Sequence, residues 1–193
     1  NILDGNGGND QFFGNNGDDL LRGGDGNDRF YSNTGDGADR IQGDAGDDTI
    51  YFANSDGNDT LTGGDGFDVL DYSSLNGVVQ VNQLAGITTG TANNDTLADV
   101  FEMVIGTAFG DVLSGGHGIN SLKGGGGDDQ TFANNGDDYT SGGTGNDTIT
   151  MGLGNDVHDF RNGENVDTIL DFTAGGTEDS ITLTFYSGLG IAN

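Results

Sequence analysis

The sequence contains no cysteine, no proline and no tryptophan, and its 193 residues carry only five Lys and Arg side chains. Without cysteine, neither disulfides nor a thiolate zinc site can hold the fold together, so a loop-rich chain of this kind suits an exported protein stapled by another metal. Five scattered cations cannot neutralise a phosphate backbone, which argues against nucleic acid. The same deficit argues against an anionic membrane surface. No apolar run approaches the length that spans a bilayer, so membrane insertion is not expected. Apolar residues make up 32%, too few for a thick two-layer core. No signal peptide is visible, because Asn1-Ile2-Leu3-Asp4-Gly5 already lies in a repeat, and the chain reads as part of a longer protein.

What is abundant is glycine, with 39 residues, and acid, with 32 Asp and Glu and a formal charge of −27. Low hydrophobicity with high charge reads as disorder, and disorder is the expectation for the chain in metal-free, low-salt water. The placement of the acids argues against permanent disorder. Each Asp sits at a constant offset from Gly and from an apolar residue.

A nine-residue unit, G-G-x-G-x-D-x-U-x with U a large apolar residue, runs along the chain. Gly23–Tyr31, Gly63–Asp71 and Gly142–Thr150 are clean copies. In a first array the sixth-position acids are Asp10, Asp19, Asp28, Asp39, Asp48, Asp59 and Asp68, spaced by nine or eleven. The eighth-position residues are Phe12, Leu21, Phe30, Ile41, Ile50, Leu61 and Leu70. A second array supplies Asp111, Asp129, Asp138, Asp147, Asp156 and, more loosely, Asp167, with Leu113, Leu122, Ile149 and Ile169 as its apolar positions. The extra pairs Ser32-Asn33, Phe52-Ala53 and Phe160-Arg161 make the local period twenty, one nine plus one eleven. Two units therefore form one structural turn.

The x-U-x half suits a very short strand, and the G-G-x-G-x-D half is a turn, since Gly reaches positive φ without a steric penalty. Strand, turn, strand, turn make one coil, and successive coils stack as parallel strands roughly 4.8 Å apart. Stacking brings Asp28 near Asp48 and Asp48 near Asp68, where bare carboxylates repel. A hard cation between the turns removes the conflict. Ca²⁺ takes six to eight oxygens in irregular geometry, from glycine-rich carbonyls and carboxylates; Mg²⁺ demands a small octahedron. Zinc finds only His117 and His158 for nitrogen ligands.

On these residues the chain resembles the RTX (repeats-in-toxin, haemolysin-type) calcium-binding nonapeptide family over roughly residues 4–71 and 106–170. The resemblance implies an all-β, right-handed parallel β-roll or β-helix solenoid that binds Ca²⁺ between turns. Its implied metal ligands are the carboxylates of the thirteen aspartates named above, with backbone carbonyls of turn residues such as Gly23, Asp25, Asn27, Gly43, Ala45, Asp47, Gly63, Asp65, Gly142, Thr144 and Asn146. It also implies type I secretion, unfolded in a low-calcium cytosol and folding outside the cell. One ion per pair of stacked turns predicts about 8–11 Ca²⁺. About nine ions would move the charge from −27 to about −9, enough to couple folding to calcium.

The pattern divides the chain into a first array (1–71), a spacer (72–105), a second array (106–170) and C-terminal capping strands (171–193). Within the spacer, Val78–Leu84 reads as a strand. Asp95–Ile105 has helical spacing, yet the flanks favour wider β-helical coils joining the arrays; a side-packed loop or helix is the alternative. Asn120 stands where Asp is expected, so a weak or absent calcium site is predicted there, and Phe109 makes the preceding turn suspect. Thr131 and Thr140 occupy apolar positions and should face each other in a narrow core, unless Phe132 and Tyr139 repack inward. His158 falls on an apolar position, read as a core-edge residue beneath the cap, with a titrating or metal role as the alternative; His117 reads as solvated. Ile169–Phe172 and Ser180–Tyr186 read as closing strands.

Phe13, Tyr31 and Tyr51 occupy the ninth position of alternate units and should form an outward aromatic ladder, either stacked for mutual support or serving as a docking strip. No H-E-x-x-H or G-x-S-x-G motif is present, and Lys123, Arg161 and the two histidines do not converge, so no catalytic residue is expected. The function expected is a calcium-dependent folding and export module of a secreted bacterial protein, with other domains of the parent and the type I machinery as partners. The alternative is an adhesive module, surface-associated, with a glycan or surface partner; a polysaccharide-modifying enzyme ranks below both.

Overall fold

A three-residue x-U-x segment cannot stand as a strand alone; it persists only where neighbouring strands supply hydrogen bonds on each side. The structure, a computed structural model, describes residues 1–32, 37–53, 57–91, 94–161, 166–172 and 179–184. These residues contain strands and turns and no helix.

The strands sort into two sheets. The first begins β1 (Ile2–Asp4), β3 (Leu20–Asp25), β5 (Arg40–Ala45) and β7 (Thr60–Asp65). It continues through β11 (Thr96–Leu97), β10 (Ile87–Gly90) and β9 (Val79–Asn82). It ends with β13 (Val112–Ser114), β15 (Gln130–Phe132), β17 (Thr148–Thr150) and β19 (Thr168–Ile169). The second sheet begins β2 (Gln11–Phe13), β4 (Arg29–Tyr31), β6 (Thr49–Tyr51), β8 (Val69–Asp71) and β12 (Met103–Ile105). It ends with β14 (Ser121–Gly126), β16 (Tyr139–Thr144), β18 (Val157–Arg161) and β20 (Ser180–Thr184).

Apart from the two ladders of β10, every pairing is parallel, and the register follows the repeat. Phe12 faces Phe30, Phe30 faces Ile50 and Ile50 faces Leu70, each one coil apart. The central residue of each strand points between the sheets, as alternation of side chains requires. Phe30, Leu61, Leu70, Leu113 and Leu122 have no exposed surface. The fold is thus the parallel β-solenoid that the spacing predicts.

The extra residues of the eleven-residue units thicken the core. Phe52 and Tyr72 are buried and stacked, with ring centroids 4.3 Å apart. Thr131 and Thr140 stay in the core, while Phe132 and Tyr139 are only half-buried, so no inward repacking occurs. The continuous apolar cluster ends at Ala133, beside these threonines. His158 is fully buried beneath the closing strand, where β20 sets Ile181 beside it and its Nδ1 lies 2.9 Å from Thr140 Oγ1.

Residues 72–105 carry β9 to β12 and belong to both sheets. The helical spacing of Asp95–Ile105 is overridden because the open edges of β7 and β8 offer backbone partners to β11 and β12. On one side β8, β12 and β14 follow directly. On the other a hairpin of β9 and β10 is inserted, with β10 antiparallel to both neighbours. At the C-terminal end β20 pairs with β18, and Asp171 accepts the N–H groups of Met151 and Gly152 at 2.9 and 2.8 Å. Asn33 and the remaining cap positions, 173–178 and 185–193, lie outside the described residues.

Since β8 buries only its central residue, truncating Leu70 weakens the ladders to both neighbouring strands. Leu70→Ala should cost about 2–5 kcal/mol in urea unfolding at saturating calcium. A cost below about 1 kcal/mol would mean that Leu70 is not packed between the sheets.

Candidate metal centre

Each turn ends on an aspartate whose backbone starts the next strand, so its side chain swings back under the turn. One carboxylate oxygen then accepts the backbone N–H of the corresponding residue in the preceding coil. Asp28 receives Asp10 N–H at 2.7 Å, Asp48 receives Asp28 at 2.7 Å and Asp68 receives Asp48 at 2.9 Å. On the other edge Asp39 receives Asp19 and Asp59 receives Asp39, both at 2.8 Å. In the second array Asp129 receives Asp111, Asp147 receives Asp129, Asp138 receives Asn120 and Asp156 receives Asp138, at 2.7 to 2.8 Å. Asp167 closes its row by receiving Asp147 N–H at 3.0 Å.

In ten of the row aspartates the second oxygen has no such partner. The Oδ2 atoms of Asp10, Asp19, Asp28, Asp48, Asp68, Asp129, Asp138, Asp147, Asp156 and Asp167 are buried without a hydrogen bond. Among the described residues, no Lys or Arg forms an ion pair with any of them. The N-terminal amine holds the other oxygen of Asp19, and His158 Nε2 stands 3.9 Å from Asp167 Oδ2. A buried charge left in that condition is costly, so the rows favour uptake of a proton or of a cation from solution.

Glycine opens the space for it. A Cβ atom at Gly5 would lie 2.5 Å from Asp10 Oδ2 and 2.6 Å from the Gly23 carbonyl oxygen. The same pairing recurs at Gly23 with Asp28 and the Gly43 carbonyl, at Gly43 with Asp48 and the Gly63 carbonyl, and at Gly124 with Asp129 and the Gly142 carbonyl. Carboxylate and carbonyl oxygens of adjacent coils therefore crowd one point, which only a residue without a side chain leaves open. No group of three or more carboxylate or imidazole side chains that could hold a metal forms among the described residues. A metal placed here would meet one carboxylate per turn and would have to complete its shell with carbonyls, a donor set that suits a hard cation with many oxygens.

The other carbonyl positions divide. Those of Asp25, Ala45, Asp65 and Thr144 each accept a glycine N–H from the preceding coil at 2.7 or 2.8 Å, which engages one lone pair. At Asn27, Asp47 and Asn146 the side chains enter an outer ladder: Asp47 N–H donates to Asn27 Oδ1 at 3.1 Å and Phe67 N–H to Asp47 Oδ1 at 3.0 Å, while Asn146 N–H donates to Asp128 Oδ1 at 2.8 Å.

Three acids missed in the sequence continue the rows. Asp95 receives Asp59 N–H at 2.9 Å, Glu102 receives Asp68 N–H at 2.7 Å and Asp179 receives Asp156 N–H at 3.4 Å. The signal for Asp95 is Asn94-Asp95-Thr96-Leu97, which repeats Asn58-Asp59-Thr60-Leu61 without the glycine turn. Beside the hairpin the protein supplies its own donors. Thr88 Oγ1 donates to Asp95 Oδ2 at 3.1 Å. Both oxygens of Asp111 are engaged, Oδ2 by Thr107 N–H at 2.6 Å and Oδ1 by Val79 N–H at 2.7 Å. At Asn120 the buried amide has neither charge nor partner.

Burial raises the carboxyl pKa from 3.8 to about 7 in Asp48 and about 8 in Asp129, and neighbouring aspartates add to the rise against one lowering backbone hydrogen bond. Asp68, Asp138 and Asp147 rise to about 6 for the same leading reason. Their folded pKa values exceed the unfolded ones, so protonation favours the metal-free roll below about pH 4 and that contribution is lost between about pH 4 and 8. Circular dichroism of calcium-free chain should show strand signal falling across this window, whereas the calcium-loaded chain should hold it to pH 8. Asn120→Asp should destabilise the metal-free chain and be neutral or stabilising with calcium; the same sign in both media would refute a cation-filled row.

A family model describing the RTX calcium-binding nonapeptide repeat (4 copies) matches residues 4–37, 33–54, 53–71, 105–140 and 132–157, more than half of the chain. No curated protein matches it. Among solved structures the chain is similar to the extracellular lipase LipA from Serratia marcescens, at 18% identity and a TM-score of 0.38, over 89% of this chain and 33% of the lipase. The chain spans about a third of that protein's length, and a likeness at this score carries nothing about function. The motif, the two carboxylate rows and the matched stretches agree: the chain belongs to the RTX calcium-binding nonapeptide repeat family.

Proposed function

We propose that this RTX module is the calcium-triggered folding unit of a larger secreted bacterial protein, and that calcium binding outside the cell orders a chain exported unfolded by a type I machinery. Calcium is the ion of its repeats. The observation that carries the reading is the run of buried, unpartnered Asp Oδ2 atoms beside glycine carbonyls. In the low-calcium cytosol the charge of −27 keeps the chain open; outside, each ion removes two charges and joins adjacent turns. Since ions bind the roll and not the open chain, folding free energy grows with calcium concentration. The aspartates of the two rows are the proposed side-chain ligands, and the first-position carbonyls of Gly23, Gly43, Gly63 and Gly142 are the backbone ligands best placed beside them. The role is structural rather than catalytic, and other domains of the parent protein carry its activity.

In excess chelator at about pH 8, where the buried carboxyls are charged, the chain should be expanded and without strand signal, and millimolar calcium should restore a compact β-rich form, by size-exclusion chromatography and circular dichroism. Asp48→Asn should cost roughly 1.5–3 kcal/mol and raise the calcium midpoint. A compact, β-rich chain after exhaustive chelation at about pH 8 would refute the proposal.

A further inference from the structure

The inserted hairpin makes a feature that the repeat does not. The first sheet gains β9 and β10, with no counterpart between β8 and β12 in the second. On its outer face, β9, β10, β13 and β15 line a groove of about 450 Å³. Its floor follows from the register: Ile87 lies opposite Asn82, Asn82 beside Ser114 and Ser114 beside Phe132. The adjacent row sets Thr89 opposite Gln80 and Gln80 beside Val112.

No charged side chain lines this groove, on a chain with 32 acids. A cation finds no carboxylate in it and an anion finds no Lys or Arg. What it offers is an apolar floor from Val112, Ile87 and the half-buried Phe132, flanked by amides and hydroxyls. The Asn134 amide, held at 2.9 Å from the Gly115 carbonyl and 3.2 Å from Ser114 Oγ, is a positioned wall, and the exposed Gln80 brings a second amide, whose Oε1 accepts from Thr89 Oγ1 at 3.4 Å. Apolar C–H faces with hydroxyls on their rims are the surface of a neutral sugar, and apolar contact plus a few oriented polar groups is how small ligands are held. We propose that this groove binds a neutral oligosaccharide, with ring faces on Phe132 and Val112 and hydroxyls on Gln80 and Asn134.

The site rests on the calcium-ordered roll, because Asp111 of the carboxylate row holds the first N–H of β9 at 2.7 Å. The test is isothermal titration of the full chain in millimolar calcium with cellohexaose, maltohexaose and chitohexaose, alongside polygalacturonate as a charged comparison. Circular dichroism is recorded on the same samples. At least one neutral hexamer should bind, and Gln80→Ala and Phe132→Thr should each weaken it by about tenfold, with calcium-dependent folding retained. Tyr51→Thr, on the opposite sheet, should leave binding unchanged. Folded protein that binds none of the neutral probes, or only polygalacturonate, overturns the groove and leaves the calcium reading standing. Unchanged affinity in Gln80→Ala also overturns it, whether or not Phe132→Thr folds. Failure to fold in calcium refutes the calcium reading instead.

Discussion

The structure depends on a carboxylate placed beside a carbonyl oxygen at a point in the turns where no side chain stands, as at Gly5, Gly23, Gly43 and Gly124. Asp10 Oδ2 and the Gly23 carbonyl meet at Gly5, and the arrangement climbs from coil to coil through Asp28 and Asp48. Two negative ends converging on one point repel, and burial strengthens the repulsion. A proton or a cation between them relieves that repulsion, so the geometry that builds the roll also makes the turns a place for the calcium of its repeat family. The glycines serve that geometry: any Cβ would collide with the oxygens that the ion needs.

The other half of each aspartate does ordinary structural work. By accepting the N–H of the residue one coil below, it locks the register of the stack, and the core positions fall into line, Phe30 on Phe12 and Ile50 on Phe30. Metal binding and core packing are therefore linked through a single side chain. The outward ladder of Phe13, Tyr31 and Tyr51, stacked at 4.7 and 5.0 Å, follows from the same register and supports neighbouring strands.

Near the hairpin the chain changes strategy. Thr88 and Thr107 give Asp95 and Asp111 hydroxyl or backbone donors, and Asn120 drops the charge. The rungs of Asp95 and Asp111 lie beside the hairpin of β9 and the antiparallel β10 and have protein donors where the regular turns leave a carboxylate oxygen unpartnered. A polar patch of Thr131, Thr140 and His158 likewise interrupts the apolar core further along, where the hydroxyl of Thr140 partners the buried imidazole.

The sequence by itself determined the coil. Every residue of x-U-x and G-G-x-G-x-D has a local reason for its position, so strand centres, turns, the twenty-residue period and the aspartate rows were legible from spacing alone. Tertiary structure decided what lacks a local signature. Asp95 and Glu102 join the rows although no glycine turn precedes them, because the edges of β7 and β8 capture β11 and β12 over the helical spacing of that segment. The antiparallel β10, the buried position of His158 and the uncharged groove depend on which strand edges are left open. A repeat is read from near neighbours along the chain, whereas an open edge is a property of coils already stacked.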